Sequence, residues 1–327
     1  MKQVLAALRA AAEPTRLRLL ALCAQGELTV GELVESLGQS QPRVSRHLKL
    51  LCDGGLLDRF PEGASVFYRL APRGEGAELG RRCLALIAPD DPVLARDRIR
   101  LAAIKQARAA AAAAYFRDNA GRWAELRSLH IDEAEVEAAL RRALADRPVA
   151  DLLDIGTGTG RIIEMLASHA ERIEGIDASR EMLAIARSRL QAAGLGHCGV
   201  RQGDMYQLPF AAGSFDAVTI YQVLHYADRP AAAVAEAARM LRPGGRLAIV
   251  DFSPHSLESL RSEHNHRRLG FGDGEVSAWC QQQGLGMEAI LRLPGQPLTV
   301  TLWLAALPGS SPPVPVSSAL PACRGEA

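Results

Sequence analysis

The chain has 327 residues, 48% of them hydrophobic and 23% charged, with a formal net charge of +1. That length suits two domains and a connector better than one small core, and the composition is that of an ordinary soluble globular protein. A balanced total excludes a uniformly basic coat, so contact with nucleic acid has to be sought in local charge, and no apolar run is long and charge-free enough to predict a membrane span.

Four regions follow in chain order: residues 1–85, a helical connector at 86–148, an alternating strand and helix region at 149–307, and a Pro-, Ser-, Gly- and Ala-rich stretch at 308–327 that is expected to be disordered. In the first region Pro14-Thr15-Arg16 opens a helix whose apolar face is Leu17, Leu20, Ala21 and Ala24. Thr29 then caps a second helix, with Val30, Leu33, Val34 and Leu37 inward and Gly38 ending it. Ser40 stands as the N-cap of a third helix and Pro42 in its first turn, where a missing N–H costs nothing. Val44, Leu48 and Leu51 face inward on that helix; Gln41, Arg43, Ser45, Arg46 and Lys49 are left as DNA-reading candidates. Arg59, Phe60, Val66, Tyr68 and Leu70 flank Pro61-Glu62-Gly63 as a hairpin wing, with Arg59 a further DNA contact. Twelve Lys and Arg against nine Asp and Glu give residues 1–85 about +3, the sign that phosphate contact requires.

The runs Pro14-Thr15-Arg16-Leu17-Arg18-Leu19-Leu20, Ser40-Gln41-Pro42-Arg43-Val44-Ser45-Arg46-His47-Leu48-Lys49 and Gly55-Leu56-Leu57 resemble the ArsR-type winged helix-turn-helix repressors over about residues 4–86. The resemblance implies a homodimer, held by terminal helices, on an imperfect DNA palindrome. Many relatives sense metals through a cysteine pair before the recognition helix, but Glu27-Leu28-Thr29-Val30-Gly31-Glu32-Leu33 occupies that stretch here. Thr29 and Gly31 cannot replace thiolates, so no metal site is expected there. The six cysteines are scattered without paired spacing, and the N-terminus shows no secretory h-region; both fit a cytoplasmic protein.

In the connector, Tyr115, Phe116 and Trp123, followed by Leu126, Leu129 and His130, interrupt an Ala-rich helical stretch. They serve either as a lid over the next domain's ligand or as an anchor for a linker helix. Val149–Ile155 then reads as a buried strand running into Asp154-Ile155-Gly156-Thr157-Gly158-Thr159-Gly160, with a helix pattern directly behind it. Glycines at such a turn let the backbone approach a ligand at a helix N-terminus. Arg161 occupies the last glycine position of the dinucleotide fingerprint, which therefore fails. Asp177 ends a second strand, placed to accept from both hydroxyls of a ribose. A third strand, Val200–Asp204, ends in Gly203-Asp204-Met205, an acid for an adenine amine and a thioether for its ring. Phe215–Ile220 is a fourth strand, Leu241–Gly245 ends a helix, Arg246–Phe252 is a fifth strand, and Met287–Leu293 with Thr299–Leu307 forms an antiparallel pair.

This series resembles a class I S-adenosylmethionine-dependent methyltransferase. It implies an α/β Rossmann-like domain with a seven-stranded, mostly parallel sheet, and S-adenosylmethionine or S-adenosylhomocysteine as its ligand. Carried over, Asp154 with Gly156, Gly158 and Gly160 meets the methionine end, Asp177 the ribose and Asp204 the adenine, with Thr157, Ala178, Met182, Gly203 and Met205 as further expected contacts. Tyr221, His225 and Tyr226 are the candidates for catalysis or acceptor positioning, and are equally readable as pocket wall. His264, His266 and Arg267 either bind an anionic acceptor or cap the next helix. A DNA-binding head on such a body fits a regulator that senses the nucleoside, or an active small-molecule methyltransferase under its own control. The first is preferred, because the head's motif is complete while no acceptor site is legible. Arsenite methylation would need converging thiolates, and the body holds only Cys198 and Cys280.

Overall fold

The computed structural model describes residues 1–62, 64–71, 74–119 and 133–309. Gly63 of the hairpin, the connector's Trp123, Leu126, Leu129 and His130, and residues 310–327 of the expected tail lie outside this range. The N-terminal unit comprises α1 (Lys2–Ala11), α2 (Pro14–Cys23), β1 (Leu28–Thr29), α3 (Val30–Leu37), α4 (Gln41–Asp53), β2 (Leu57–Glu62), β3 (Ser65–Leu70) and α5 (Glu75–Ala85). Thr29 and Glu32 form a reciprocal capping box at the start of α3, satisfying amides that a helix leaves open. Ser40 occupies the N-cap of α4, but its hydroxyl makes no capping bond, and the proline at N1/N2 sets the entry instead. The face of α2 departs from the sequence reading: Leu19, Leu20, Leu22 and Cys23 are buried, while Ala24 is exposed. α2 packs against α4, α5 and α6 at once, so its burial is broader than a single stripe. The three strands pair antiparallel in the order β1-β3-β2.

The helix α6 (Pro92–Asn119) runs for 28 residues, about 42 Å at 1.5 Å each. Its first half belongs to the N-terminal core: Leu101 is fully buried there, and Asp97 takes two guanidinium nitrogens of Arg18 at 2.6 and 2.7 Å. The next helix, α7 (Glu133–Leu144), buries Val136, Leu140 and Leu144 in the larger core instead. Packing thus divides the connector between the two units.

The larger unit contains β4 (Val149–Ile155), α8 (Arg161–Leu166), β5 (Ala170–Asp177), α9 (Arg180–Ala192), β6 (Cys198–Gln202), β7 (Phe215–Tyr221), α10 (Pro230–Met240), β8 (Leu241–Phe252), α11 (Ser259–His264), α12 (Asp273–Gln282), β9 (Gly286–Leu293) and β10 (Val300–Ala306). Its seven strands lie in the order β6-β5-β4-β7-β8-β10-β9, parallel except for the last pair of joins. Apolar clusters line the sheet: one around Ile155, Ile220, Ile249 and Trp303, the other around Leu152, Ala248, Val250 and Leu302. Strands buried on both faces read as continuous apolar runs, as β8 and β10 do. β8 starts at Leu241 rather than Arg246, because Leu241 already pairs with Phe215 ahead of a register shift. β6 stops at Gln202, which leaves Asp204 beyond the strand in an isolated bridge to Gln207.

Candidate functional site

Chain order reverses between β4 and β7, and ligands of such sheets sit in the crevice at the carboxyl ends beside the reversal. A cavity of about 1290 Å³ opens there. Nine of the eleven residues expected to hold a nucleoside line it: Gly156, Thr157, Gly158, Asp177, Ala178, Met182, Gly203, Asp204 and Met205. The other two do not. Asp154 lies directly opposite Thr219 in the parallel register, and Thr219 Oγ1 donates to it at 2.7 Å, which holds the buried carboxylate against the neighbouring strand. Gly160 has φ +77 at the start of α8, and a Cβ there would press on Ala186 at 3.1 Å; its work is to bring α8 close to α9.

The cradle fits a nucleoside with an amino-acid tail. Gly156 has φ +72, and a Cβ on it would collide with Val223. Asp177 accepts from the amides of Gly158 and Ser179, each at 2.8 Å, one on each oxygen. A carboxylate has about four acceptor positions, so acceptor capacity remains for a hydroxyl donor. Burial pushes the Asp177 carboxyl above its ordinary range, against the pull of those amides. Asp204 Oδ1 accepts from Tyr206 N at 2.9 Å. Two buried polar atoms on the wall, Thr157 Oγ1 and Gln222 Nε2, have no partner among the described residues. Buried polar groups are normally hydrogen-bonded, so both point to a polar occupant. Gln222 also has φ +53, a left-handed conformation in a residue other than glycine, which marks a constrained position next to the cradle.

Tyr221, His225 and Tyr226 all line the same cavity. His225 is buried and bonds Asp251 Oδ1 through Nδ1 at 2.7 Å. Asp251 also accepts from the amides of Phe252 at 2.8 Å and His225 at 3.3 Å. The carboxylate therefore acts as an acceptor, Nδ1–H is the donor, and Nε2 is left as the ring's basic nitrogen. Sequence reasoning missed Asp251, and its signal was an acid inside the apolar run Ala248-Ile249-Val250-Asp251-Phe252. A buried carboxylate demands a partner.

The cavity does not belong to one domain. Thr29, Glu32 and Phe67 of the N-terminal unit line it, and so do Arg108, Tyr115 and Phe116 of α6. Tyr115 Oη lies 2.7 Å from His264 Nδ1, and Phe116 packs edge-on against Tyr226 with centroids 4.8 Å apart. Beside these contacts runs a buried ion-pair network. Arg268, 3% exposed, donates to Glu62, to Glu27 at 2.8 Å and to Glu275 at 3.0 Å. Arg267 bonds Glu32 at 3.1 Å and the Glu27 carbonyl at 2.5 Å, and Arg261 bonds Glu62 at 2.8 Å. The guanidinium of Arg267 is thus committed to the other domain, which removes it from the expected anion site. The wing tip likewise meets the larger unit through Glu62 and through Ala64 N, which donates to Glu258 at 2.7 Å. The DNA candidates Gln41, Arg43, Arg46, Lys49 and Arg59 are exposed, and Ser45 is half-buried. Cys198 sits on edge strand β6 and Cys280 on α12 beside β9 at the far edge, so the two thiols do not converge.

A winged helix-turn-helix set against a class I methyltransferase sheet defines the protein's class. A model of the bacterial regulatory protein, arsR family, matches residues 13–59, and a methyltransferase domain model matches residues 153–249. The ubiquinone biosynthesis O-methyltransferase of Aromatoleum aromaticum is 30% identical over 210 residues, covering 56% of this chain and 86% of that protein. The demethylmenaquinone methyltransferase of Thermus thermophilus is 42% identical over 106 residues, covering 32% and 47%. The crystal structure of YcgJ from Bacillus subtilis is also similar, at 21% identity and a TM-score of 0.48, over 54% of this chain and 99% of that one. The chain spans under half the length of several curated relatives it matches. It belongs to the methyltransferase family and carries an arsR-family helix-turn-helix domain.

Proposed function

We propose that the chain is a homodimeric, cytoplasmic transcriptional regulator whose methyltransferase-like domain binds S-adenosylmethionine or S-adenosylhomocysteine as the sensed signal. One observation carries this reading: the cavity that contains the nucleoside cradle is also walled by Thr29, Glu32 and Phe67 of the DNA-binding unit. A ligand that alters this shared wall binds two domain arrangements with different affinity, which is the condition for shifting between them. Asp177 takes the ribose, Asp204 and Met205 the adenine, and Thr157 and Gln222 the amino-acid end. Val4, Leu5, Leu8 and Leu86, exposed on α1 and just after α5, supply an apolar surface for the partner subunit. Gln41, Arg43, Ser45, Arg46 and Lys49 read the major groove, with Arg59 on the backbone. Anisotropy of DNA from upstream of the chain's own gene, titrated with protein with and without each nucleoside, tests the proposal. Affinity that changes with nucleoside supports it, and identical curves reject it.

A second reading, an active methyltransferase for a small molecule, is favoured by the buried His225–Asp251 pair on the cavity wall. When bound, the sulfonium donor supplies an activated methyl group. The chain's contribution is to place the acceptor in line and to remove its proton. Transfer of label from donor to a small acceptor at enzymatic rates would support that reading.

A further inference from the structure

We infer that the part of the cavity at the domain junction is an acceptor site for a neutral aromatic molecule carrying a phenolic hydroxyl, and that His225 takes its proton. The inference rests on the second reading above. Small-molecule pockets run to roughly 300–1000 Å³, so 1290 Å³ exceeds what one nucleoside requires. The surplus wall is aromatic. Tyr226, His266 and Phe252 surround the His225 ring, at centroid distances of 4.1, 4.1 and 5.0 Å. Phe116 and Tyr115 of α6 and Phe67 of the DNA-binding unit complete the lining. Such a wall selects a flat ring.

Charge argues for a neutral ligand. Among the described residues, the cations on the wall at this junction are Arg108 and Arg267, paired with Glu32 and Asp228, and Arg261, paired with Glu62 and Glu258. Three cations meet four acids there, so among the described residues each guanidinium at the junction is already paired, which disfavours an anionic acceptor. The groups around His225 are Asp251 on β8, Tyr226 beside it, and His255, His264 and His266 from the segment after β8. Asp251 holds Nδ1, so Nε2 is the nitrogen left to act on a hydroxyl. The phenolic proton passes to Nε2 as the oxygen–methyl bond forms. The methyl–sulfur bond breaks with its electron pair staying on sulfur, so the sulfonium becomes a thioether. The proton then leaves His225 for water.

The test uses 4-nitrocatechol, whose absorbance reports its own ionisation, mixed with the full-length protein saturated with S-adenosylhomocysteine. The expected result is saturable binding, with the bound probe ionising at least about one pH unit below the free probe. His225→Gln should abolish that shift, and with donor present should lower kcat about 100-fold with little change in KM. Phe116→Leu should weaken the probe several-fold without altering S-adenosylhomocysteine affinity. Should His225→Gln misfold, Phe116→Leu still decides whether the probe sits at this wall. A bound probe with unshifted ionisation, a shift that survives His225→Gln, or no saturable binding overturns the inference. Calorimetry with S-adenosylhomocysteine on the same samples separates the failures, because loss of nucleoside binding would reject the cradle assignment and not the acceptor site alone.

Discussion

Arg268→Met removes the centre of the domain junction while keeping most of its apolar volume. The wild-type guanidinium, 3% exposed, pairs with Glu27, Glu62 and Glu275 and lies over the rings of Phe60 and Phe271 at 4.8 and 4.9 Å. Removing one partner of a buried pair typically costs about 3–5 kcal/mol, because the abandoned charge stays buried. Arg69 still reaches Glu27 and Glu275, and Arg261 still reaches Glu62, so the lower end, about 3 kcal/mol, is expected. At about 2–4 °C per kcal/mol for units of 150–250 residues, the domain-coupled transition should fall by about 6–12 °C in calorimetry. Combining it with Glu62→Gln should show a coupling energy of about 1–3 kcal/mol, since the two side chains share a hydrogen bond. The variant should also bind nucleoside while answering it poorly at DNA. A variant of wild-type stability and full nucleoside response would refute the assignment of this network as the link between domains.

Asp177→Ala should weaken nucleoside binding at least about tenfold by calorimetry, through loss of hydrogen bonds to a charged group, and leave nucleoside-free DNA affinity intact. Arg46→Ala, at an exposed position of α4, should weaken DNA binding in anisotropy with unchanged nucleoside affinity. Gly156→Ala should lower stability by about 1–3 kcal/mol and impair nucleoside uptake, because the new Cβ meets Val223 at a left-handed φ. Burial raises the Glu32 carboxyl, but Arg267, the Thr29 amide and Arg108 outweigh it and hold the group below its ordinary 4.5. A depressed folded value contributes stability above the unfolded one and loses it as pH falls through the folded one. Domain coupling should therefore weaken as pH drops below about 4.5, and Glu32→Gln should flatten that dependence.

What the sequence made legible was local. The Thr29–Glu32 capping box, the turn at Gly38, the inward row Val44, Leu48 and Leu51, and the glycine turn after β4 each depend on neighbours within a few residues. The ends of β4, β5 and β6 converge because parallel strands bring their carboxyl ends to one edge, so a pattern of strand-end motifs sufficed to locate the cavity. Long-range pairing escaped. Asp154 was assigned to the ligand, yet it does not line the cavity and its Oδ1 accepts from Thr219, 65 residues away. Arg267 was open to reading as part of an anion site or a helix cap, and Arg268 gave no signal, because their acidic partners, Glu27, Glu32 and Glu62, lie more than 200 positions upstream. Asp251 passed unremarked inside the strand Arg246–Phe252, because its partner His225 lies 26 residues away, and Gln222 gave no signal because its backbone conformation is invisible in a one-letter code.

If one cavity serves the nucleoside and the DNA-binding unit together, the two binding events are linked, and that linkage is directly measurable. S-adenosylhomocysteine affinity should be measured by calorimetry on free protein and on the protein–DNA complex. The two values should differ by the same factor by which the nucleoside changes DNA affinity, on the order of 5–150-fold. Equal nucleoside affinity in the two states would contradict the claim.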